Sequence, residues 1–330
     1  MTENSETSEA TTEKPVFVPM EVVQRTDVGR VRSENQDFAI TTTPEESAEH
    51  GYLLVVADGM GGHRGGATAS RMAGNIVREE FLTAVDGDET EILHSALVRA
   101  NEKIFQESEM NPGLKGMGTT CSSLLVRRNL GWIAHIGDSR IYRVRDGEID
   151  QMTMDHSLVA TMVREGLITE EEAETHPRRN VLQRSMGVSA GAEVDVYEPF
   201  EIIEGDTFIL CSDGLHGLVK NQELMEITYG NGLDHAIDRF IELALERGAH
   251  DNVTVVMARA GEPSDELPSS QKKPRTVTVR KTESAGTTQS GTLLRWLLVG
   301  LLAVAATGAV VLSLNQDAIL RFLQTRIEGR

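Results

Sequence analysis

Cysteine, aromatic residues and positive charge are all scarce in this chain. Of its 330 residues only 2 are cysteine, Cys121 and Cys211, and both lie inside apolar runs. A disulfide framework is therefore not supported, and two buried thiols in a reducing compartment are expected. Basic residues number 32 against 51 acidic ones, a net charge of −19. This balance argues against nucleic acid as the main partner, because a phosphate backbone requires a basic surface.

The N-terminus lacks the apolar stretch of a secretory signal. It is polar from the first residue, and residues 1–13 contain several glutamates and no aromatic side chain. Segments of that composition cannot bury enough apolar surface to offset the entropy of ordering. Residues 1–18 are therefore predicted to be a disordered acidic tail.

Charge is missing altogether from one long segment near the C-terminus. Residues 296–314 form a run of 19 residues without a charged side chain. As a helix the run would be about 28 Å long, close to the thickness of a bilayer core. A buried core helix is the alternative, but a helix this long and apolar on every face is unusual in a core. Residues 293–314 are therefore predicted to be a single transmembrane helix.

Composition divides the rest of the chain. Residues 19–260 read as one globular domain, and residues 261–292, rich in Ser, Thr, Pro, Lys and Glu, read as a linker. Residues 315–330 form a short tail whose final Ile-Glu-Gly-Arg is either native or a remnant of a protease site. Basic residues are more frequent before the apolar segment than after it, which predicts a cytoplasmic globular domain and an external tail. Those before it are Lys272, Lys273, Arg275, Arg280, Lys281 and Arg295, and those after it are Arg321, Arg326 and Arg330.

Inside the globular domain, strand-like and helix-like patterns occur in groups. Strands are predicted at 51–57, 119–127, 131–137, 140–145, 193–200, 206–212 and 253–260. Helices are predicted at 66–82, 89–107, 221–228 and 233–246. Because the two kinds do not alternate strictly, an α+β fold with antiparallel sheets is favoured over a parallel fold.

Five aspartates lie at the ends of the strand-like runs. They are Asp37, Asp58, Asp138, Asp213 and Asp251. Three of them leave strands and two enter strands, so an antiparallel sheet can gather all five on one edge. Each one alone is more often a turn residue. Together they form a cluster that repels itself unless cations bind, and oxygen-rich sites of this kind suit Mg²⁺ or Mn²⁺.

The order of short motifs adds a resemblance. The motifs are Arg32-Ser33-Glu34-Asn35-Gln36-Asp37, Ala57-Asp58-Gly59-Met60-Gly61-Gly62-His63, Gly118-Thr119-Thr120, Gly137-Asp138-Ser139-Arg140, Ser212-Asp213-Gly214-Leu215 and Asp251-Asn252-Val253-Thr254. In this order they resemble the metal-dependent protein phosphatases of the 2C type, the PPM family, in its bacterial form. The resemblance covers residues 20 to 260. It implies a four-layer αββα sandwich of two mainly antiparallel sheets flanked by helices, with a helical flap insert at about 153–187.

The resemblance also implies a dinuclear Mn²⁺ or Mg²⁺ centre and a role for each motif residue. Asp58 would bridge the two ions, and the backbone carbonyl of Gly59 would help to bind one of them. The second ion's shell would be completed by Asp213 and Asp251, while Asp37 would hold water bound to a metal. Asp138 would contribute to a third, weaker site together with Asp213. Arg32 would bind the substrate phosphate.

One position departs from many eukaryotic members, in which a histidine follows the Asp-Gly pair and is proposed as general acid. Here that position is Met60, and His63 lies three residues later. The general acid is therefore His63, a metal-bound water, or absent, and a loop histidine without a catalytic role is an equal interpretation of His63. In the flap, Arg178, Arg179 and Arg184 either meet acidic substrates or face solvent.

The expected function is a membrane-anchored serine/threonine protein phosphatase that opposes a bacterial Ser/Thr kinase. Its partners would be phosphorylated proteins, and its location would be the cell membrane with a cytoplasmic catalytic domain. One alternative is a catalytically silent module that binds phosphorylated partners, which the complete acidic set disfavours. Another is a Ca²⁺-binding structural domain, but the aspartates do not fall within a dozen residues as in an EF-hand loop.

Overall fold

The computed structural model describes residues 18–62, 64–84, 87–261 and the backbone of 280–281. The strands are β1 (Met20–Asp27), β2 (Asp37–Thr41), β3 (Tyr52–Met60), β4 (Gly118–Thr119), β5 (Cys121–Arg127), β6 (Leu130–Ile136), β7 (Arg140–Arg145), β8 (Glu148–Gln151), β9 (Asp195–Val196), β10 (Phe200–Glu201), β11 (Thr207–Cys211), β12 (Val253–Ala260) and β13 (Arg280–Lys281). The helices are α1 (Pro44–His50), α2 (Gly65–Thr83), α3 (Glu89–Met110), α4 (Leu158–Arg164), α5 (Glu170–Glu174), α6 (Asp213–His216), α7 (Asn221–Tyr229) and α8 (Leu233–Glu246).

The strands form two sheets. The six-stranded sheet has the order β1-β12-β11-β7-β8-β13, and the seven-stranded sheet has the order β10-β6-β5-β3-β2, with β4 paired to β3 and β9 paired to β6. Every pairing is antiparallel except that of β13 with β8. The α+β class with mainly antiparallel sheets is thereby confirmed.

Side chains on alternate positions of each strand enter different cores. In β3, Leu54 and Val56 pack into the core between the sheets, together with Phe208 and Leu210 of β11. Leu53, Val55 and Ala57 of the same strand face α2 and α3. The outer face of the six-stranded sheet is covered by α6, α7 and α8. Because the strands alternate with period two and are buried on both faces, the fold has four layers, αββα.

The helices on the outer faces follow from local sequence. Asp88 caps α3 by accepting hydrogen bonds from the backbone N–H groups of Thr90 and Glu91. On α8, Ile237, Phe240 and Ala244 recur at helical spacing and are fully buried. Polar residues on the opposite face are exposed, namely Asp234, His235, Asp238, Glu242 and Glu246. This apolar stripe orients α8 onto the six-stranded sheet.

Three of the described strands were not predicted, β1, β8 and the two-residue β13. Strands β1 and β8 are half-buried, with few consecutive apolar residues, so only their pairing with longer strands defines them. Strand β2 begins at Asp37, so the prediction that Asp37 enters a strand is confirmed. The predicted strand 193–200 is wrong as one element, because it forms only the two-residue strands β9 and β10. Pro199 lies between them and has no N–H to donate to a ladder.

The insert between β8 and β9 contains two short helices, α4 and α5. Its two ends pair with each other: Ser157 bridges Leu182, and the N–H of Gln183 donates to the carbonyl of His156 at 2.7 Å. The insert therefore leaves the sandwich and returns to it at one narrow neck.

Among the residues that the structure describes, no helix is long and apolar enough to cross a membrane. The predicted segment 293–314 lies outside them, as do all but the last residue of the predicted tail 1–18, the predicted tail 315–330 and nearly all of the predicted linker 261–292. Cys121 and Cys211 are free and buried, as predicted.

Candidate metal centre

All five predicted aspartates lie at the same end of the sandwich. Asp37 opens β2 and is directly opposite Asp58 of β3 in the antiparallel register. Asp138 follows β6, Asp213 opens α6 after β11, and Asp251 precedes β12. The prediction that one sheet edge carries all five is wrong: two of them come from the six-stranded sheet. The two stacked sheets end together, so their loops converge.

The carboxylates act on one another electrostatically. Burial, followed by the charges of Asp37, Asp213, Asp138 and Asp251, raises the pKa of Asp58 well above its usual range. Burial, and then other carboxylates of the cluster, raises the pKa of Asp37 and of Asp213 to about 6 and that of Asp138 to about 8. Desolvation and like charge both oppose the ionised form. The cluster therefore needs protons or cations.

The donor atoms fit divalent cations. Oδ1 of Asp213 is buried and has no hydrogen-bond partner. Within the described ranges no group of three or more Asp, Glu, His or Cys side chains is arranged as a metal site. Arg32 Nη2 donates to Oδ2 of Asp251 at 2.6 Å, and Ser212 Oγ donates to Oδ2 of Asp37 at 2.7 Å. These contacts turn two carboxylates toward protein partners, and a cation would have to draw them together.

The backbone of Asp58 is fixed by the Gly-Thr-Thr motif on β4. The N–H of Asp58 donates to Thr120 Oγ1 at 2.9 Å, and Thr119 Oγ1 donates to the carbonyl of Asp58 at 2.9 Å. Thr120 Oγ1 also lies 2.7 Å from Ser139 Oγ, beside Asp138. Two hydroxyls thus link the end of β3, which carries Asp58, to the loop that carries Asp138.

Gly59 stands where two backbones meet. A Cβ at Gly59 would lie 2.2 Å from the carbonyl oxygen of Gly66 and 2.5 Å from that of Gln36. Only glycine permits this close approach. The first turn of α2 consequently packs directly on the end of β3, next to Asp58.

A match to a known protein family identifies this arrangement of carboxylates. Residues 30–253 match the family model described as protein phosphatase 2C. The chain belongs to the protein phosphatase 2C family.

Individual relatives support the assignment. The serine/threonine protein phosphatase PstP of Mycobacterium tuberculosis (strain CDC 1551 / Oshkosh) is 38% identical over 244 residues, which cover 74% of this chain but only 45% of PstP. The chain thus spans about half the length of that relative. The serine/threonine phosphatase stp of Listeria monocytogenes serotype 4b is 38% identical over 239 residues, which cover 71% of this chain and 93% of stp.

A solved structure links the fold to metal. The PstP catalytic domain in complex with two manganese ions is 35% identical, with a TM-score of 0.65, and the match covers 74% of this chain and 99% of that one. Members of the protein phosphatase 2C family are metal-dependent serine/threonine phosphatases, and the carboxylates of this member fit the Mn²⁺ or Mg²⁺ that the family uses.

In this phosphatase-family chain, Asn252 is a site residue that sequence reasoning missed. Its Nδ2 donates to the carbonyls of Val28 and Glu34 at 2.9 and 3.0 Å, and its Oδ1 accepts from the N–H of Gln36 at 2.8 Å. These three bonds fold the loop that carries Arg32 against the start of β12. Asn252 belongs to the motif Asp251-Asn252-Val253-Thr254, but no role was predicted for it.

Two further supports were also missed. Besides binding Asp37, Ser212 Oγ accepts from the N–H of Thr254 at 3.0 Å, which joins β11 and β12 under the cluster. His216 Nε2 donates to the carbonyl of Asp138 at 2.9 Å. Burial, followed by the charge of Arg140, lowers the pKa of His216 to about 3, so this imidazole is neutral. Ser212 opens the motif Ser212-Asp213-Gly214-Leu215 and His216 directly follows it, but no role was predicted for either residue.

The remaining predicted residues have different outcomes. His63 lies outside the described residues. Arg178 and Arg179 are exposed on the insert, whereas Arg184 Nη1 donates to Oδ1 of Asp195 at 2.7 Å. Arg184 is therefore an ion-pair partner at the neck of the insert.

Proposed function

We propose that this chain is an active protein phosphatase that hydrolyses phosphoserine and phosphothreonine in proteins. In this proposal the enzyme uses two bound Mn²⁺ or Mg²⁺ ions, and a third ion binds more weakly. The observation that supports this most directly is the convergence of five aspartates from two sheets. Burial and mutual repulsion raise the pKa of four of them, Asp37, Asp58, Asp138 and Asp213. Hydrolysis of phosphate monoesters is extremely slow without a catalyst, so strong electrostatic stabilisation of the transition state is needed.

The metal ligands in this proposal are Asp37, Asp58, Gly59, Asp138, Asp213 and Asp251. When bound, such ions lower the pKa of water and neutralise phosphate charge. Asp58 lies opposite Asp37, and the charges of the other three aspartates also raise its pKa. Asp58 is therefore close to all of the other carboxylates, which suits it for the bridging position. The partnerless Oδ1 of Asp213 is available as a ligand atom.

Arg32 is the proposed phosphate-binding residue. Its side chain is 52% exposed, and its guanidinium already contacts Asp251 at the metal edge. The planar guanidinium can hold a phosphate through two parallel hydrogen bonds while it remains beside the carboxylates. An incoming phosphoprotein can reach it from solvent. His63 remains the candidate general acid, with loop histidine as the competing interpretation.

The deciding experiment is hydrolysis by the full chain of a nitrophenyl phosphate ester and of a phosphothreonine peptide. We expect Mn²⁺-dependent release of phosphate from both substrates, which a chelator abolishes and added Mn²⁺ restores. Binding of the phosphopeptide without turnover would support the silent binding module instead. Stabilisation by Ca²⁺ without hydrolysis would support the structural calcium domain.

We also propose that residues 293–314 anchor the enzyme in the cell membrane, with the catalytic domain in the cytoplasm. The uncharged run of 19 residues at 296–314 and the excess of basic residues before it support this. The free buried thiols are compatible with a reducing compartment.

The proposed partners are phosphorylated proteins, among them a Ser/Thr kinase and its substrates. The Asp58→Asn variant should turn over slowly while it retains the Arg32 contact surface. Proteins captured by this variant and not by Asp58→Asn with Arg32→Ala would be the substrates. Equal capture by both variants would refute recognition through phosphate.

A further inference from the structure

His156 makes a double contact with the loop that carries Asp138. The backbone N–H of Gly137 donates to His156 Nδ1 at 3.2 Å, and the backbone N–H of His156 donates to the carbonyl of Gly137 at 2.7 Å. His156 is buried, with 5% of its surface exposed. The residue immediately before Asp138 is therefore held on both of its backbone polar groups by one histidine.

These contacts determine which ring nitrogen carries the proton. A backbone N–H can only donate, so Nδ1 of His156 must accept and the proton lies on Nε2. Nε2 is 3.0 Å from Oδ2 of Asp195, to which it donates. Burial opposes ionisation of Asp195, but the hydrogen bond from His156 Nε2 and the charge and hydrogen bond of Arg184 outweigh it and hold the pKa of Asp195 below its usual range. Asp195 is thus a fixed carboxylate that orients the ring.

The Asp138 loop needs an anchor of this kind. Gly137 has φ +113°, and a Cβ there would lie 2.5 Å from Cβ of Thr120. Only glycine fits this position, so no side chain at residue 137 can fix the backbone of the loop. Beyond it, the carbonyl of Asp138 accepts from His216. His156 and His216 therefore hold the backbone on the two sides of the Asp138 side chain.

The same histidine closes the neck of the insert. Its carbonyl accepts from the N–H of Gln183, and the N–H of Leu158 donates to the carbonyl of Val181 at 2.8 Å. Arg184, at the far end of the insert, binds the carboxylate that orients His156. Both ends of the insert therefore meet at His156. The imidazole of His156 binds Gly137, the residue immediately before Asp138.

We propose that His156 is a positioning residue for Asp138: its Nδ1 holds the Gly137 amide, while Asp195 and Arg184 lock its ring at the neck of the insert. The inference rests on the proposed function, in which Asp138 is a metal ligand. His156 touches neither substrate nor metal in this role and acts only through the backbone of Gly137. Where the ring is held, the Asp138 carboxylate stays directed into the cluster.

Two substitutions test separately the hydrogen bonds made by Nδ1 and Nε2 of His156. The side-chain amide of His156→Asn places a polar atom near the position of Nδ1 and can still accept from Gly137. His156→Gln reaches the position of Nε2, so it can keep the bond to Asp195 but not the one to Gly137. We expect His156→Gln to lower kcat about 10- to 100-fold, as loss of a support to a metal ligand does. His156→Asn should retain most of the activity, and His94→Gln, the same exchange at an exposed position of α3, should leave it unchanged.

A second measurement reports on the contact without turnover. Hydrogen exchange followed by mass spectrometry on the full chain should show faster exchange in the peptide containing Gly137 for His156→Gln, and near wild-type exchange for His156→Asn. Equal acceleration in both variants, together with equal losses of activity and melting temperature, would overturn the proposal in favour of simple packing.

A double-mutant cycle tests whether His156 acts through Asp138. If it does, adding His156→Gln to Asp138→Asn should cause little further loss of kcat, because interacting sites are not additive. Multiplicative losses would overturn the proposal. An inactive wild-type chain would refute the proposed function instead, and the exchange comparison would still decide the contact between His156 and Gly137.

Discussion

Asp213 carries the most direct test of the carboxylate cluster at the scale of a single residue. Its Oδ1 is buried and has no partner, so an amide of the same shape there leaves core packing intact while it removes the charge. We expect Asp213→Asn to lower kcat by several orders of magnitude without unfolding the domain, because the proposed metal ligand loses its charge. Steady-state kinetics with saturating Mn²⁺ measure the loss.

The matched control is Asp146→Asn, in the exposed turn between β7 and β8, where φ is 53° and asparagine is tolerated. This variant should keep wild-type activity. A folded Asp213→Asn protein with wild-type turnover would contradict the metal centre.

Arg32 should affect binding more than turnover. Its guanidinium is half-exposed, so we expect Arg32→Ala to raise KM about tenfold, equivalent to roughly 1.5 kcal/mol for a charged hydrogen bond, with a smaller change in kcat. Arg30→Ala, two residues away on the same loop, removes the same charge and is the control. An unchanged KM for both the ester and the phosphopeptide would show that Arg32 is only a surface charge.

At the scale of elements, the contact between β3 and α2 depends on the absence of a side chain at Gly59. We expect Gly59→Ala to lower stability by about 1–3 kcal/mol, because its Cβ would overlap the carbonyl of Gly66 and push α2 outward. Activity should fall as well, since Asp58 is the preceding residue. Chemical denaturation measures the change.

Gly113→Ala is the comparison for that variant, because nothing lies within 4 Å of a Cβ at Gly113. If both alanine variants unfold at the same denaturant concentration, the contact between β3 and α2 does not exclude a Cβ at position 59.

For the molecule as a whole, Mn²⁺ should stabilise the fold. A ligand that binds only the native state at 100 times its Kd contributes about 2.7 kcal/mol, which for a domain of this size corresponds to roughly 5–10 °C in melting temperature. The reason here is relief of repulsion among buried carboxylates. Thermal denaturation in Mn²⁺ and in chelator measures the shift, and Asp58→Asn should reduce it. An identical melting temperature in both conditions would show that the cluster does not bind Mn²⁺.

The proposed anchor predicts a separable catalytic domain. The last long strand of the described domain, β12, ends at Ala260, and the N–H of Gly261 donates to the carbonyl of Pro19 at 2.9 Å. The edge strand β13 ends at Lys281, still before Leu293. A chain that ends before Leu293 should therefore be soluble and active, whereas the full chain should sediment with membranes. Protease added to intact cells stripped of any wall should spare the catalytic domain. Its removal while a cytoplasmic marker survives would reverse the proposed orientation.

The sequence by itself determined the αββα class, the long strands and helices, and the aspartates that gather at one end. These follow from local information: apolar runs, periodicity and the order of short motifs. Only the tertiary structure decided that the aspartates come from two sheets, that half-buried β1 and β8 belong to the six-stranded sheet, and that Asn252, Ser212, His156 and His216 hold the site. The physical reason is that a lone polar residue has no periodic pattern. Its role comes from a hydrogen-bond partner far away in the chain, which only the packing of the layers brings within reach.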